Sequence, residues 1–275
     1  ALFTLFVFFE VVLAASYGLM LHGSGLHRLR AGVHYVVVNL IGAQLFLVAA
    51  AIIYGVTGTL NMADLALRVP LLSAEDRALF DIGAVLLGLV FLIKAGAWPL
   101  NFWLGPAYGS ATPPVGAVFA ILTKVGVYAL LRFEMLLHES TTLPMIGGDW
   151  MFNIGLLTIA IGTFGLLAAQ RLERAAALLV VISSGTLLTA LAFGGGGMTA
   201  PALLYLFSSV LASGAFFMVI DMTERTHNVT ADLLAVSFEA FGMADKDEAS
   251  DYPEDTSGGA ITATMGFLGL AFVSS

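Results

Sequence analysis

The sequence predicts an all-α protein that crosses a membrane several times. Of its 275 residues, 59% are hydrophobic and only 11% are charged, whereas a soluble domain carries about 25% charged residues. The mean hydropathy is +0.95. The apolar stretches run for about twenty residues without alternating polar and apolar positions, as spanning helices do and barrel strands do not.

Eight apolar segments follow one another along the chain, most of them bounded by glycine, proline or charged residues. We place them near residues 2–21, 33–55, 82–104, 114–133, 150–170, 175–193, 200–221 and 260–275. The chain starts within the first segment and stops within the last. We therefore expect residues 1–275 to form a single transmembrane domain that is a fragment, of about eight helices, of a longer polytopic protein.

The third segment carries the most unusual combination of residues. In Leu86–Leu104, LLGLVFLIKAGAWPLNFWL, Lys94 lies near the middle and Pro99 follows it. A lysine at the centre of a spanning helix costs roughly 2.5–3.5 kcal/mol. Pro99 cannot donate to the carbonyl of Ala95, so with Gly96 it predicts a discontinuous helix of the kind that lines ion paths. The alternative is a snorkelling lysine beside a harmless kink, but long apolar runs on both sides of Lys94 make snorkelling awkward.

Two further charges lie near the middle of apolar segments, Glu10 in the first and Lys124 in the fourth. Left unpaired, the three charges would cost about 7–10 kcal/mol when the insertion values are added. We therefore expect Glu10 to pair with Lys94, and Lys124 to be the next position on a hydrated path. Burial and a nearby carboxylate act on a lysine's proton affinity in opposite directions, so such a line can pass protons sideways through the membrane. A purely structural Glu10–Lys94 pair is the alternative.

Most remaining polar residues fit structural or interfacial roles. Residues 56–81 are interpreted as a connection in which Asn61 caps a short helix, MADLAL, and Ser73 begins a capping box. The stretch from Gly105 to Pro114 is interpreted as a turn-rich loop, whose final prolines suit the first turn of the next helix. Hydroxyl groups of the sixth segment are assigned to packing, and charged groups at the end of the fourth segment to the membrane interface. These are Ser183, Ser184 and Thr186, and Arg132, Glu134, His138 and Glu139.

Composition excludes several classes of site. The chain has no cysteine, so disulfides, thiolate metal sites and iron–sulfur ligation are excluded. The net charge of −8 comes largely from residues 238–258, where seven acidic residues accompany Lys246 in what we interpret as a solvated loop. We predict no catalytic centre, metal site, cofactor or nucleic-acid surface. The chain is expected to meet the lipid bilayer and other membrane subunits.

Several stretches of the chain resemble the D subunit of the Mrp-type monovalent cation/proton antiporters. They are FFEVVLAASYGLMLHG, RLRAGVHYVVVNL, YGVTGTLNMADLAL and the stretch from Leu92 to Arg132. That family is related to the antiporter-like subunits of respiratory complex I. The spacing of Glu10, Lys94 and Lys124 is similar to that of the family's glutamate, its lysine on a broken helix and its lysine on the following helix.

The resemblance implies an antiporter-like fold with inverted repeats, in which 1–133 holds first-repeat helices with the buried charges and 150–275 begins the second repeat. It also implies a hetero-oligomeric complex in the bacterial inner membrane that exchanges Na⁺, or K⁺ or Li⁺ in some members, for H⁺. Glu10, Lys94 and Lys124 would then translocate protons, and Pro99 would break the helix. The family has a further lysine on a second broken helix, and we expect the sequence to stop before that position.

Two alternatives to an antiporter subunit stay open. The first is a proton-pumping membrane subunit of a complex-I-like or hydrogenase-type redox complex, in which the same charges would move protons. The second is a structural membrane subunit that has kept the fold and lost the path. The particular residues of GLMLHG and YGVTGTLNMADLA favour the antiporter, and the presence of all three mid-span charges disfavours the structural subunit. None of these interpretations makes the chain itself an enzyme.

Overall fold

The computed structural model describes residues 1–22, 25–137, 148–193 and 196–240. Every regular element within these ranges is helical. The elements are α1 (Leu2–Leu21), α2 (Leu26–Thr57), α3 (Met62–Arg68), a 3₁₀ turn (Val69–Leu71), α4 (Ala74–Ala95), α5 (Leu104–Ser110), α6 (Pro113–Leu137), α7 (Gly148–Leu167), α8 (Leu172–Ala192) and α9 (Gly196–Ala240). Seven of the described helices, all but α3 and α5, are long and apolar enough to span a membrane. The predicted all-α, multi-span architecture is confirmed for these residues.

The structure divides the third predicted segment differently from the sequence pattern. Helix α4 begins at Ala74 rather than near residue 82, because the Ser73 hydroxyl oxygen caps it by accepting the Asp76 N–H at 3.2 Å. The stretch after Gly105 was predicted as a loop, and most of it belongs instead to the short helix α5. The segment at 260–275 and residues 241–258 of the acidic loop lie outside the described residues.

Helices α4, α6 and α8 form the centre of the bundle, and α1, α7 and α9 lie at its periphery. About half of the spanning window, 56%, is buried in each central helix, compared with 17–22% in the outer three. Aromatic rings connect α2, α4 and α6, since Phe91 makes edge-to-face contacts with Phe46 at 6.0 Å and with Phe133 at 6.2 Å. The charges predicted to move protons are therefore carried partly by the best-buried helices.

Helix α3 is held by its own polar residues. Asn61 caps it as predicted, since its side chain accepts the Ala63 N–H at 3.2 Å. Arg68 pairs with Asp64 at 3.0 Å and donates to the Thr57 carbonyl at 3.1 Å, which ties α3 to the end of α2. The hydrogen bond from Arg68 holds the pKa of the Asp64 carboxyl below its ordinary value. These charges have a structural role, as expected for this connection.

Helices α7 and α8 pack backbone to backbone as an antiparallel pair. A Cβ on Gly155 of α7 would lie 2.6 Å from the Thr189 nitrogen of α8, and a Cβ on Gly162 would lie 2.7 Å from an Ile182 side-chain carbon. Gly155 meets Thr189, whereas Gly162, later in α7, meets Ile182, earlier in α8, as expected for antiparallel helices. Small residues allow such close approach in membrane helices, where packing replaces the hydrophobic effect as the main attraction.

We expect Gly155→Ala to lower the melting temperature of the full-length protein in detergent, because its new methyl group meets backbone atoms that cannot move aside. Overpacking of this kind costs about 1–3 kcal/mol. Gly18→Ala is the matched control, since no heavy atom lies within 4 Å of a Cβ at that position. Equal melting temperatures for the two variants would contradict the close α7–α8 contact.

Candidate functional site

Lys94 lies in the last turn of α4, which ends in a left-handed cap at Gly96. Gly96 has a φ of 67°, and its N–H donates to the Ile93 carbonyl at 3.2 Å. Glycine is the usual residue at such a helix end because it has no Cβ to clash. The helix therefore stops at Gly96, and Pro99 lies further on, within the irregular segment. Lys94 is at a helix end rather than mid-helix, and a role for Pro99 in the break stays a prediction.

Two contacts hold this helix end in place. On α6, a Cβ at Gly126 would lie 2.9 Å from the carbonyl carbon of Lys94, so the missing side chain lets α4 and α6 meet. Beyond the break, the Trp98 N–H donates to the Thr158 hydroxyl oxygen of α7 at 2.9 Å. The stretch that carries Lys94 is thus packed against two neighbouring helices.

The Lys94 ammonium is buried without a hydrogen-bond acceptor among the residues that the structure describes. Its side chain is 6% exposed, and Nζ lies 5.0 Å from the centre of the Phe9 ring. A cation over an aromatic face is attracted by the ring quadrupole, and the C-terminal end of a helix favours positive charge. The Phe9 ring and the end of α4 therefore both stabilise the positive charge of Lys94.

The predicted direct pair between Glu10 and Lys94 is not formed. No nitrogen–oxygen distance of 4.0 Å or less joins them, although the two charges are close enough to attract each other. Glu10 is half-buried, and its Oε1 atom has no hydrogen-bond partner among the described residues. The Phe9 ring lies against the ammonium in place of the carboxylate. The two charged groups are neighbours with a gap between them.

Lys124 is the most completely buried charge among the described residues, with 1% of its surface exposed. Its Nζ donates to Ser183 Oγ at 2.8 Å, to Ser184 Oγ at 3.2 Å and, at 3.4 Å, to the Val180 carbonyl. All three acceptors lie on α8, and an ammonium has three N–H groups to donate. The sequence pattern assigned these serines to packing only, and that assignment was wrong. The available signal was the pair of adjacent serines near the middle of a mostly apolar span.

One carboxylate assigned to the interface is also buried. Glu134, near the end of α6, is 7% exposed, while Arg132 beside it is exposed as predicted. Acidic side chains are seldom buried to this degree. His138 and Glu139, which were assigned to the same interface, lie outside the described residues.

The described residues contain no group of three or more His, Asp or Glu that could hold a metal ion. The arrangement instead consists of protonatable groups on α1, α4 and α6 with hydroxyl and carbonyl acceptors on α8. The carboxyl and amine groups can take up and release protons, and ionisable residues within spanning helices commonly mark ion or proton pathways.

Comparisons with known proteins identify relatives of this chain. The chain is 51% identical over 273 residues to the D subunit of a probable K⁺/H⁺ antiporter from Rhizobium meliloti strain 1021, an alignment that covers 98% of this chain and 50% of the relative. It is 34% identical over 230 residues to the D subunit of a Na⁺/H⁺ antiporter from Alkalihalophilus pseudofirmus, covering 83% of this chain and 46% of the relative. The chain thus spans about half the length of the curated relatives it matches.

The structure is similar to a chain of the Mrp complex from Dietzia sp. DQ12-45-1b. The two superpose with a TM-score of 0.71 and 30% sequence identity, over 80% of this chain and 41% of the other. The family described as NADH:quinone oxidoreductase/Mrp antiporter, transmembrane, matches residues 1–237. The chain is a multi-pass membrane protein that belongs to this family.

Proposed function

We propose that this chain is the proton-translocating part of the D subunit in a multisubunit monovalent cation/proton antiporter of the bacterial inner membrane. The observation that carries the proposal is the burial of two lysines on neighbouring membrane-spanning helices, with Lys94 6% and Lys124 1% exposed. Charged residues inside spanning helices are expensive and usually mark an ion pathway. The names of its relatives support K⁺ or Na⁺ as the exchanged cation.

The different surroundings of the two lysines support a direction of proton movement. At Lys124 the ammonium finds three acceptors, whereas at Lys94 it finds none among the described side chains. A proton that moves from Lys94 to Lys124 therefore leaves a site without a described protein acceptor for one with three of them. Glu10 lies near enough to influence the charge on Lys94 without binding it. Movement of Glu10 toward or away from Lys94 would then load or release the proton.

The second candidate is a proton-pumping membrane subunit of a redox-driven complex. The family description itself includes NADH:quinone oxidoreductase, which supports this alternative. The charges would act in the same way, and the difference is whether electron transfer or a cation gradient drives the protons. A transport assay on the complete assembly separates the two.

We expect Lys94→Ala to slow cation-driven proton exchange strongly. Inverted vesicles that carry the full-length complex, in a host without other antiporters, are energised by respiration, and K⁺ or Na⁺ is then added. The wild type should collapse the pH gradient, and the variant should do so at least about tenfold more slowly because its proton acceptor is missing. Lys246→Ala, in the predicted acidic loop, is the control at matched expression.

Two outcomes would overturn parts of this proposal. If Lys94→Ala matches the wild type, Lys94 is structural and the proton line is wrong. If the wild type fails to respond to either cation while an electron donor drives pumping through the complex, the redox-driven alternative replaces the antiporter.

A second variant tests the acceptors of Lys124. The double change Ser183→Ala and Ser184→Ala removes two hydrogen bonds to a buried charge, each worth about 1.5–3 kcal/mol, and should slow exchange by about tenfold or more. Thr186→Ala is the control, since its hydroxyl donates within α8 to the Ile182 carbonyl at 3.0 Å. Wild-type exchange rates in the double variant would show that Lys124 does not depend on these serines.

A further inference from the structure

A pocket lies between α5 and the first two turns of α8, away from the buried lysines. Its volume is about 340 Å³, and the described residues that line it are Gly105, Pro106, Gly109, Arg171, Arg174 and Leu178. A Cβ at Gly109 would lie 3.8 Å from the Arg174 Cα, whereas a Cβ at Gly105 would meet no heavy atom within 4 Å. The helices therefore touch at one side of the pocket and leave open space at the other. We call it the arginine pocket.

Both guanidinium groups of the arginine pocket are available to a ligand. Arg174 is exposed and forms no hydrogen bond or ion pair with any residue that the structure describes. The Nε atom of Arg171 lies 3.4 Å from a carboxylate oxygen of Glu173, and the Arg171 side chain is 68% exposed. Its two terminal nitrogens therefore remain free to donate. Guanidinium groups bind phosphate through paired N–H groups, so the arginine pocket favours a phosphate group.

The arginine pocket lies at the arginine-rich end of the bundle. Arg28 Nε donates to the Ser110 carbonyl at 2.9 Å, which joins the start of α2 to the end of α5 at this end. The arginines at the same helix ends are Arg28, Arg30, Arg171, Arg174 and Arg225, whereas Arg68, Arg77 and Arg132 belong to the opposite end. An excess of basic residues marks the cytoplasmic side of a membrane protein. The leaflet on that side carries the anionic lipids, and basic pockets between spanning helices bind their headgroups.

The lining changes from basic to apolar along α8. Arg171 and Arg174 lie where this spanning helix begins, and Leu178 lies one turn further into the span. Pro106 of α5 also contributes to the apolar lining. A phospholipid has the same order of groups, with a phosphate at the membrane surface and an acyl chain below it. The arginine pocket therefore matches a lipid better than a soluble phosphate, which has no apolar part.

A neighbouring pocket does not share this chemistry. It has a volume of about 270 Å³ and also contains Arg171, but Glu173 and Glu224 are among its lining residues. Carboxylates repel a phosphate at close range. An anionic headgroup is thus favoured on the side of Arg171 that faces Arg174 and disfavoured on the side that faces the two glutamates.

We propose that the arginine pocket binds the headgroup of an anionic phospholipid from the cytoplasmic leaflet. Arg171 and Arg174 bind the phosphate, and an acyl chain lies along Leu178. The bound lipid then connects α5, which follows the helix break, to the start of α8. This site is independent of the proposed function, since it uses none of the groups assigned to proton movement.

The test is a lipid titration of the full-length complex, purified and delipidated in detergent, with the melting temperature as the readout. Dioleoylphosphatidylglycerol should raise the melting temperature, because a ligand of the folded state stabilises it. Dioleoylphosphatidylcholine, which has no net charge, and glycerol phosphate, which has no acyl chain, should not. Arg171→Gln with Arg174→Gln should require about 25-fold more of the anionic lipid, since each arginine near an anionic surface strengthens binding about fivefold.

Two control variants separate the pocket from general surface charge. Arg30→Gln with Arg132→Gln removes the same charge from exposed positions outside the pocket, and should titrate like the wild type. Gly105→Leu fills the pocket and keeps both arginines, so it should also weaken the response to the anionic lipid. Gly18→Leu is its control, because a Cβ at Gly18 likewise meets no heavy atom within 4 Å.

Each contrary outcome overturns the proposal. Equal weakening in the two double arginine variants would show a general attraction of lipid to basic residues. Equal stabilisation by glycerol phosphate would show a site for soluble anions. A cryomicroscopy map of the wild-type complex should contain phosphate density between the two guanidinium groups, and protein density in its place would overturn the lipid site even if the variants do not fold. Absence of cation/proton exchange in the wild type would contradict only the proposed function.

Discussion

A protonated amine inside a bilayer must find hydrogen-bond acceptors or water, because the surrounding hydrocarbon supplies neither. The two lysines of this chain meet that requirement in different ways. Lys124 is enclosed by two serine hydroxyls and a carbonyl of α8, which satisfy its three N–H groups. The neighbours of Lys94 are the Phe9 ring, the end of α4 and a small cavity. The packing of α6 against α8 is what brings these acceptors to Lys124.

The backbone is shaped to bring these groups together. Gly96 ends α4 directly after Lys94, and Gly126 lets α6 approach that helix end. Irregular backbone within a membrane is tolerated only where protein or a cavity surrounds it, and here α7 accepts the Trp98 N–H through Thr158. The end of α4 at Gly96 thus places a charge at a helix end, with a small cavity beside it.

The gap between Glu10 and Lys94 has a functional consequence within the proposed mechanism. A tight buried ion pair would hold its proton in one place, since separating the partners leaves an uncompensated charge. A carboxylate that is nearby but not bonded can influence the lysine while leaving it free to exchange. The proximity of the Phe9 ring to Nζ, at 5.0 Å, fits this arrangement because an aromatic face stabilises the cation without accepting its proton.

The sequence by itself determined the features that depend on neighbouring residues. Apolar length predicted the spanning helices, Asn61 and Ser73 predicted helix starts, and the isolated charges identified Glu10, Lys94 and Lys124 as the candidates. Only the tertiary structure decided which groups meet across the bundle. Ser183 and Ser184 are far from Lys124 in sequence, and the burial of Glu134 and Trp103 depends on which helix faces the centre. A pattern along one helix specifies an apolar face, whereas the partner of a buried polar group is specified by how the helices pack.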